Sequence, residues 1–148
     1  MKKTAIQLVA IIVLGTGYIG AQDIPQSKVP SVVINSFIKE FPKARDVEWE
    51  LKGNQYNVEF EVGFFTDFEA WFTNTGSLIR YTENISSSKL PEAVKRTIKS
   101  DFPKYRIDDA EKITENNVVT YRVELEKRDH EVNLIFSENG IIVKNQNQ

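Results

Sequence analysis

The sequence predicts an α+β fold made of two tandem repeats, each one helix followed by a four-stranded antiparallel meander, with both helices on one face of the sheet. Three observations predict it. FIKEFPKARD at Phe37–Asp46 is echoed by TIKSDFPKYRIDD at Thr97–Asp109; each echo lies in a stretch with apolar residues every four positions; and each stretch then changes to a period of two.

The repeat carries through the chain. VPSVVINSFIKEFPKA aligns with LPEAVKRTIKSDFPKY at an offset of 61, DVEWE with DAEKI at 63, YNVEFE with YRVELE at 65, and FEAWFTNTGSL with VNLIFSENGII at 64. Equal block order with small length changes is what duplication followed by loop drift leaves. In this alignment Lys112 stands where Trp49 stands in the first unit, so the halves differ.

The helix of the first unit rests on Val29, Val33, Phe37 and Phe41, with Ile34 and Ile38 beside them and Lys39 and Glu40 on the wet side. Pro30 and Pro91 suit a first helical turn, where the missing N–H is not needed; Pro42 and Pro103 stop the helix at Phe41 and Phe102. After the stop, Val47, Trp49 and Leu51 alternate with acids. Tyr56, Val58, Phe60 and Val62 follow, then Phe68, Ala70 and Phe72, with LIRYT from Leu78 as a fourth strand. LKGNQ and NTGS supply the turns. The second unit repeats the order with Tyr121, Val123 and Leu125, then Val132, Leu134 and Phe136, then Ile141 to Val143.

Ahead of the repeats, Lys2 and Lys3 lead into the apolar run Ala5 to Leu14 and then to small residues ending at Ala21, the pattern of a secretory signal peptide over 1–21. The run is shorter than the ~20 apolar residues of a membrane span. Residues 22–28 read as a polar lead, 29–85 as the first repeat, 86–144 as the second and 145–148 as a frayed tail. Removing 21 of the 148 residues leaves 127, with 17 Lys and Arg against 21 Asp and Glu, a net charge of −4. That acidic balance points away from nucleic acid. With no cysteine in an exported chain, stability rests on burial and not on disulfides. No membrane span is expected after cleavage.

The solvent face of the sheet carries the functional signal. Pairing Tyr56 with Phe72, Val58 with Ala70 and Phe60 with Phe68 sets Glu59 opposite Glu69 and Glu61 opposite Asp67 on the outward side. Like charges directly opposite are unfavourable. Phe65 and Trp71 add aromatic surface among these carboxylates; in the second unit Ile135 takes the place of Trp71, near Arg122, Glu124 and Glu126. The candidate partner-binding set is therefore Glu59, Glu61, Asp67, Glu69, Phe65, Trp71, Arg122 and Ile135, suited to an exported or envelope protein with a basic surface. The plainer alternative is that the acids keep the face soluble and the loop Gly63–Thr66 covers Trp71. Calcium between the carboxylates lacks an Asp-rich loop with ligand spacing. No metal or other cofactor is expected.

Catalytic patterns are missing. The chain has one His, no Cys, and no HExxH, GxSxG or phosphate-binding glycine loop. His130, in EKRDHE, reads as an exposed hairpin tip. Glu59 and Glu69 as an acid–base pair acting on a glycoside would need a substrate cleft and one raised pKa. A non-catalytic protein is the expectation.

The doubled pattern VP..V...F...FP.A..VEWE....Y.VEF, AWF...GSLI, LP.AV...I...FP and DAEKI......YRVELE resembles the PepSY-like, beta-lactamase-inhibitor-like family of exported proteins common in Bacteroidota, over about Val29 to Val143. The resemblance implies a periplasmic or secreted binding module with tandem helix-plus-sheet repeats and an open sheet face, related by fold to protein inhibitors of beta-lactamases and to PepSY domains attached to peptidases. It carries no inhibitory residue over to this chain. The alternative function is a periplasmic scaffold or stress protein with no specific protein target.

Overall fold

The computed structural model describes residues 22–145; the expected signal peptide and residues 146–148 of the expected tail lie outside them. Among the described residues nine strands form one sheet in sequence order: β1 (Gln22–Ile24), β2 (Ala44–Lys52), β3 (Gln55–Val62), β4 (Thr66–Thr73), β5 (Leu78–Asn84), β6 (Arg106–Glu115), β7 (Val118–Lys127), β8 (His130–Ser137) and β9 (Ile142–Asn145). Every neighbouring pair is antiparallel. Helix α1 (Ser31–Glu40) precedes β2 and α2 (Glu92–Asp101) precedes β6, each introduced by a 3-10 turn, at Gln26–Lys28 and Ser87–Lys89.

Each helix ends where the proline predicts. Phe41 and Phe102 leave helical geometry at φ −126° and −124°, as residues ahead of proline do, while their N–H groups still reach back to Phe37 and Ile98. Both rings then turn towards the sheet. Phe41 lies 4.7 Å from Phe60 and 5.5 Å from Tyr81 between ring centroids, and Phe37 packs edge-on against Trp49 and Phe60 at 5.3 and 5.0 Å. The core of the first repeat is aromatic; that of the second is largely aliphatic, with Val94 and Ile98 over Val123, Leu125, Leu134 and Phe136. Both helices cover the same face, so among the described residues no helix lies on the other face of the sheet.

The expected hairpin registers are observed: Tyr56 pairs with Phe72, Val58 with Ala70, Phe60 with Phe68, Tyr121 with Phe136 and Val123 with Leu134. One expected equivalence is corrected. Trp49 opposes Val58 and Ala110 opposes Val123, so Ala110, not Lys112, is the counterpart of Trp49. The offset of 61 persists into β6. The length change falls at the next turn, where Lys52 pairs with Gln55 in the first repeat but the second hairpin runs on to Glu115 and Val118.

The polar lead is partly strand. Ile24 opposes Trp49 and Asp23 opposes Glu50, just as the N–H of Ile85 bonds to Ala110 and Asn84 opposes Glu111. β1 therefore holds the place on β2 that the end of β5 holds on β6. Asn145, assigned to the frayed tail from sequence, instead closes β9 opposite Leu134.

Two glycines fit each repeat together. Gly76 and Gly140 have φ +84° and +78°, and an added Cβ would lie 2.7 Å from the Val32 carbonyl oxygen and 2.5 Å from that of Ala93. The β4–β5 and β8–β9 turns thus lie directly against the helices, and Thr97 Oγ1 donates to the Gly140 carbonyl at 2.8 Å.

Candidate functional site

The open face is organised in rows that run across the strands. One row reads Glu48, Glu59, Glu69, Thr82, Ile113, Thr120 and Ser137 from β2 to β8. A second reads Glu50, Asn57, Trp71, Arg80, Glu115 and Val118 from β2 to β7. Glu61 and Asp67 oppose each other near the β3–β4 tip, and Asn84, Glu111, Arg122, Ile135 and Lys144 form a row in the second half.

Seven carboxylates, those of Asp46, Glu48, Glu59, Glu61, Asp67, Glu69 and Glu111, line one open groove of about 350 Å³ with Thr82 and Asn84. The charge is concentrated in the first repeat: residues 29–85 hold five Lys and Arg against nine Asp and Glu, while 86–144 hold eleven of each. Glu59 feels the crowding. Its carboxyl is held above the usual carboxylate range, first by lost hydration and then by Glu50 and Glu69, with Lys52 opposing the rise and Glu48 adding to it. Among the described residues no group of three or more acidic or histidine side chains is placed to hold a metal ion.

Beside the groove lies a polar cluster that sequence reasoning missed. Asn57 is fully buried on the open face; its Oδ1 accepts from Lys52 Nζ at 2.8 Å, and its Nδ2 donates to Glu69 Oε1 at 2.8 Å and to the Ala70 carbonyl at 3.4 Å. Lys52 also pairs with Glu50 at 2.6 Å. Trp71 stands over this cluster with Lys52 and Arg80 each 5.0 Å from its ring. Such contacts contribute about 0.5–1 kcal/mol each at exposed sites. The indole is therefore engaged by two cations, and the loop Gly63–Thr66 does not cover it: the tip closes at Val62 opposite Thr66, whereas Trp71 opposes Asn57 five pairs away.

That tip is itself exposed. Phe65, at φ +62°, and Phe64, which the sequence reading passed over, are 87% and 91% accessible. Two adjacent aromatics at a turn between acidic residues were the available signal. Arg122 and Ile135 oppose each other on β7 and β8, away from the β3–β4 carboxylates, and Arg122 pairs with Glu111, which lines the groove. The predicted residues thus form four places: an acidic groove, an aromatic tip beside it, Trp71 over the Asn57 cluster and an Arg–Ile pair further across.

A doubled helix-plus-meander chain with an open, acidic sheet face and no assembled catalytic constellation among the described residues belongs to the class of small tandem-repeat modules with one free sheet face. The family described as "Putative beta-lactamase-inhibitor-like, PepSY-like" matches residues 19–80 and 54–144, and the chain belongs to it. The fold is shared with solved structures. A BLIP-like protein from Bacteroides fragilis is 24% identical, with TM-score 0.72, over 88% of this chain and 89% of that one. A DUF2874 family protein from Bacteroides ovatus is 19% identical, with TM-score 0.72, over 79% of this chain and 86% of that one. A chain from Bacteroides eggerthii described as "putative periplasmic proteins" is 18% identical, with TM-score 0.73, over 80% of this chain and 88% of that one. No curated protein matches. No helix among the described residues is long and apolar enough to cross a membrane.

Proposed function

We propose that this protein is an exported, non-catalytic binding module that engages the basic surface of a partner protein through the acidic groove of its first repeat. The observation that carries the reading is the uninterrupted line Glu48, Glu59, Glu69. Like charges directly opposite are unfavourable, and Lys52, 4.0 Å from Glu69, offsets only part of that cost. A local rule broken with only partial compensation inside the fold is what a surface completed by another molecule looks like. Glu61 and Asp67 extend the field towards the exposed Phe65, while Trp71 holds Lys52 and Arg80 in place beside it.

The name of the Bacteroides fragilis relative supports an enzyme as the kind of partner, and so an inhibitory role; the signal-like leader and the Bacteroides eggerthii relative support a periplasmic or secreted location. The test is capture from envelope extract on immobilised residues 22–148 beside a Glu59→Lys/Glu69→Lys variant, at low and high salt. A partner held by the native chain, released by salt and lost by the variant is expected. Identical captures from both chains would leave the scaffold reading, in which the carboxylates only keep the face wet.

One observation favours a second reading: a carboxyl raised above its usual range is what an acid–base hydrolase needs, and Glu59 has it. Glycoside turnover by the native chain that is lost in Glu59→Gln would establish that reading.

A further inference from the structure

The open face changes character along one row. From Glu48, Glu59 and Glu69 the row passes through Thr82 to Ile113, and Ile135 lies two strands beyond Ile113 in an adjacent row. Neighbouring strands lie about 4.8 Å apart, so the three carboxylates span about 10 Å, and Ile113 lies about 10 Å past Glu69. A helix rises about 1.5 Å per residue, so its positions i, i+3 and i+7 fall at spacings of about 5 and 10 Å, close to the strand spacing. An extended chain, at about 6.6 Å between side chains on one face, does not keep step. Arg80 stands in the neighbouring row, and the Lys52 ammonium reaches into it from the row beyond, over Trp71 and 4.0 Å from Glu69; both repel a cationic occupant from that side and confine it to the carboxylate row.

We propose that the occupant of this face is an α-helical segment of a partner protein laid across the strands. Its first two turns set Lys or Arg over Glu48, Glu59 and Glu69, and apolar side chains about two and about three and a half turns later rest on Ile113 and Ile135 in turn. This rests on the acidic groove being a binding surface, and it adds the apolar half, the helical form and the spacing. The second repeat thereby acquires a role that its balanced charge does not suggest: it selects among basic segments by the side chains that lie two turns beyond their lysines and arginines.

The test uses the chain from Gln22 to Gln148 and a labelled synthetic helical peptide of about twenty-two residues, with lysines at i, i+3 and i+7 and two leucines about two and about three and a half turns further on. Two control peptides replace the leucines by alanine or the lysines by glutamine. Fluorescence anisotropy at low salt is expected to show about tenfold weaker binding for the alanine peptide, about the loss of one well-buried apolar contact, and no measurable binding for the glutamine peptide. Ile113→Thr with Ile135→Thr, which keeps the β-branched shape, should abolish the preference for leucine and leave the affinity for the alanine peptide unchanged. Equal affinity for the leucine and alanine peptides overturns the helix-with-apolar-end proposal while leaving the acidic groove as a binding surface. No binding of either lysine peptide overturns both. A dimer by sedimentation that Glu59→Gln/Glu69→Gln dissolves would make a second copy the occupant and also overturn the proposal.

Discussion

Glu59→Gln tests whether the carboxylate row is held at a cost. Glu59 opposes Glu48 on one strand and Glu69 on the other, and each like-charge cross-strand pair is unfavourable by about 0.2–1 kcal/mol. The side chain is largely exposed, so solvent screening places the pairs at the low end, and Lys52 offsets part of the repulsion. Removing the charge should therefore stabilise the fold by about 0.5 kcal/mol, or about 2 °C in Tm for a chain of this size. The sign with pH is set by the raised carboxyl. In the folded state Glu59 holds its proton to higher pH than in the unfolded chain, so its contribution is fully present below the ordinary glutamate range and is lost as pH rises through the folded value. Glutamine should remove that descent. Urea unfolding at low salt and again near 1 M salt, where the Debye length is about 3 Å, measures both effects. A glutamine variant less stable than the native chain would show that Glu59 is held by structure, and a gain that persists in full in high salt would show that lost hydration, not repulsion along the row, sets the cost.

Further outcomes depend on the packing. Gly140→Ala and Gly76→Ala should each cost about 3 kcal/mol in urea unfolding, combining left-handed backbone strain with overlap on the Ala93 or Val32 carbonyl, whereas Gly53→Ala, at φ +66° with nothing within 4 Å, should cost about 1 kcal/mol. Asn57→Ala removes the acceptor for Lys52 and a donor to Glu69 and should lose about 2–3 kcal/mol by the same measurement, because both lost bonds involve charged groups. Phe64→Ser with Phe65→Ser should leave stability within about 0.5 kcal/mol, since both rings face solvent, and should weaken any partner that uses the tip. Deleting residues 22–24 uncovers the outer edge of β2 and should produce concentration-dependent association in light scattering, as exposed strand edges do.

The features that could be read in advance are those set by local chemistry. Pro42 and Pro103 dictate where the helices stop, and strict alternation through YNVEFEV and TDFEAWF dictates both the hairpin register and the facing carboxylates. The missed features depend on partners remote in sequence. QDI has no strand signature of its own and becomes β1 because Trp49, Glu50 and Leu51 offer it an edge. Arg80 faces Trp71 only because the β4–β5 ladder slips between Trp71 and Phe72, and no alternation in LIRYT announces that slip. Matching letters, DVEWE with DAEKI, put the length change before the strand and so set Lys112 against Trp49; the paired backbone puts the change at the following hairpin and Ala110 against Trp49.

The position of β1 also changes where one copy of the duplicated unit starts and stops. Because Ile24 and Ile85 hold the same place on the following unit, the period that repeats runs from Pro25 to Ile85 and begins just after a strand, ahead of the 3-10 turn that leads into the helix. A cassette cut there carries its own helix, three strands of its own meander and the strand on which the next cassette builds. Chains with one more copy could be concatenated in frame without designing a new junction, since the β5–β6 seam is already the joint and β1 is the blank that finishes its open end.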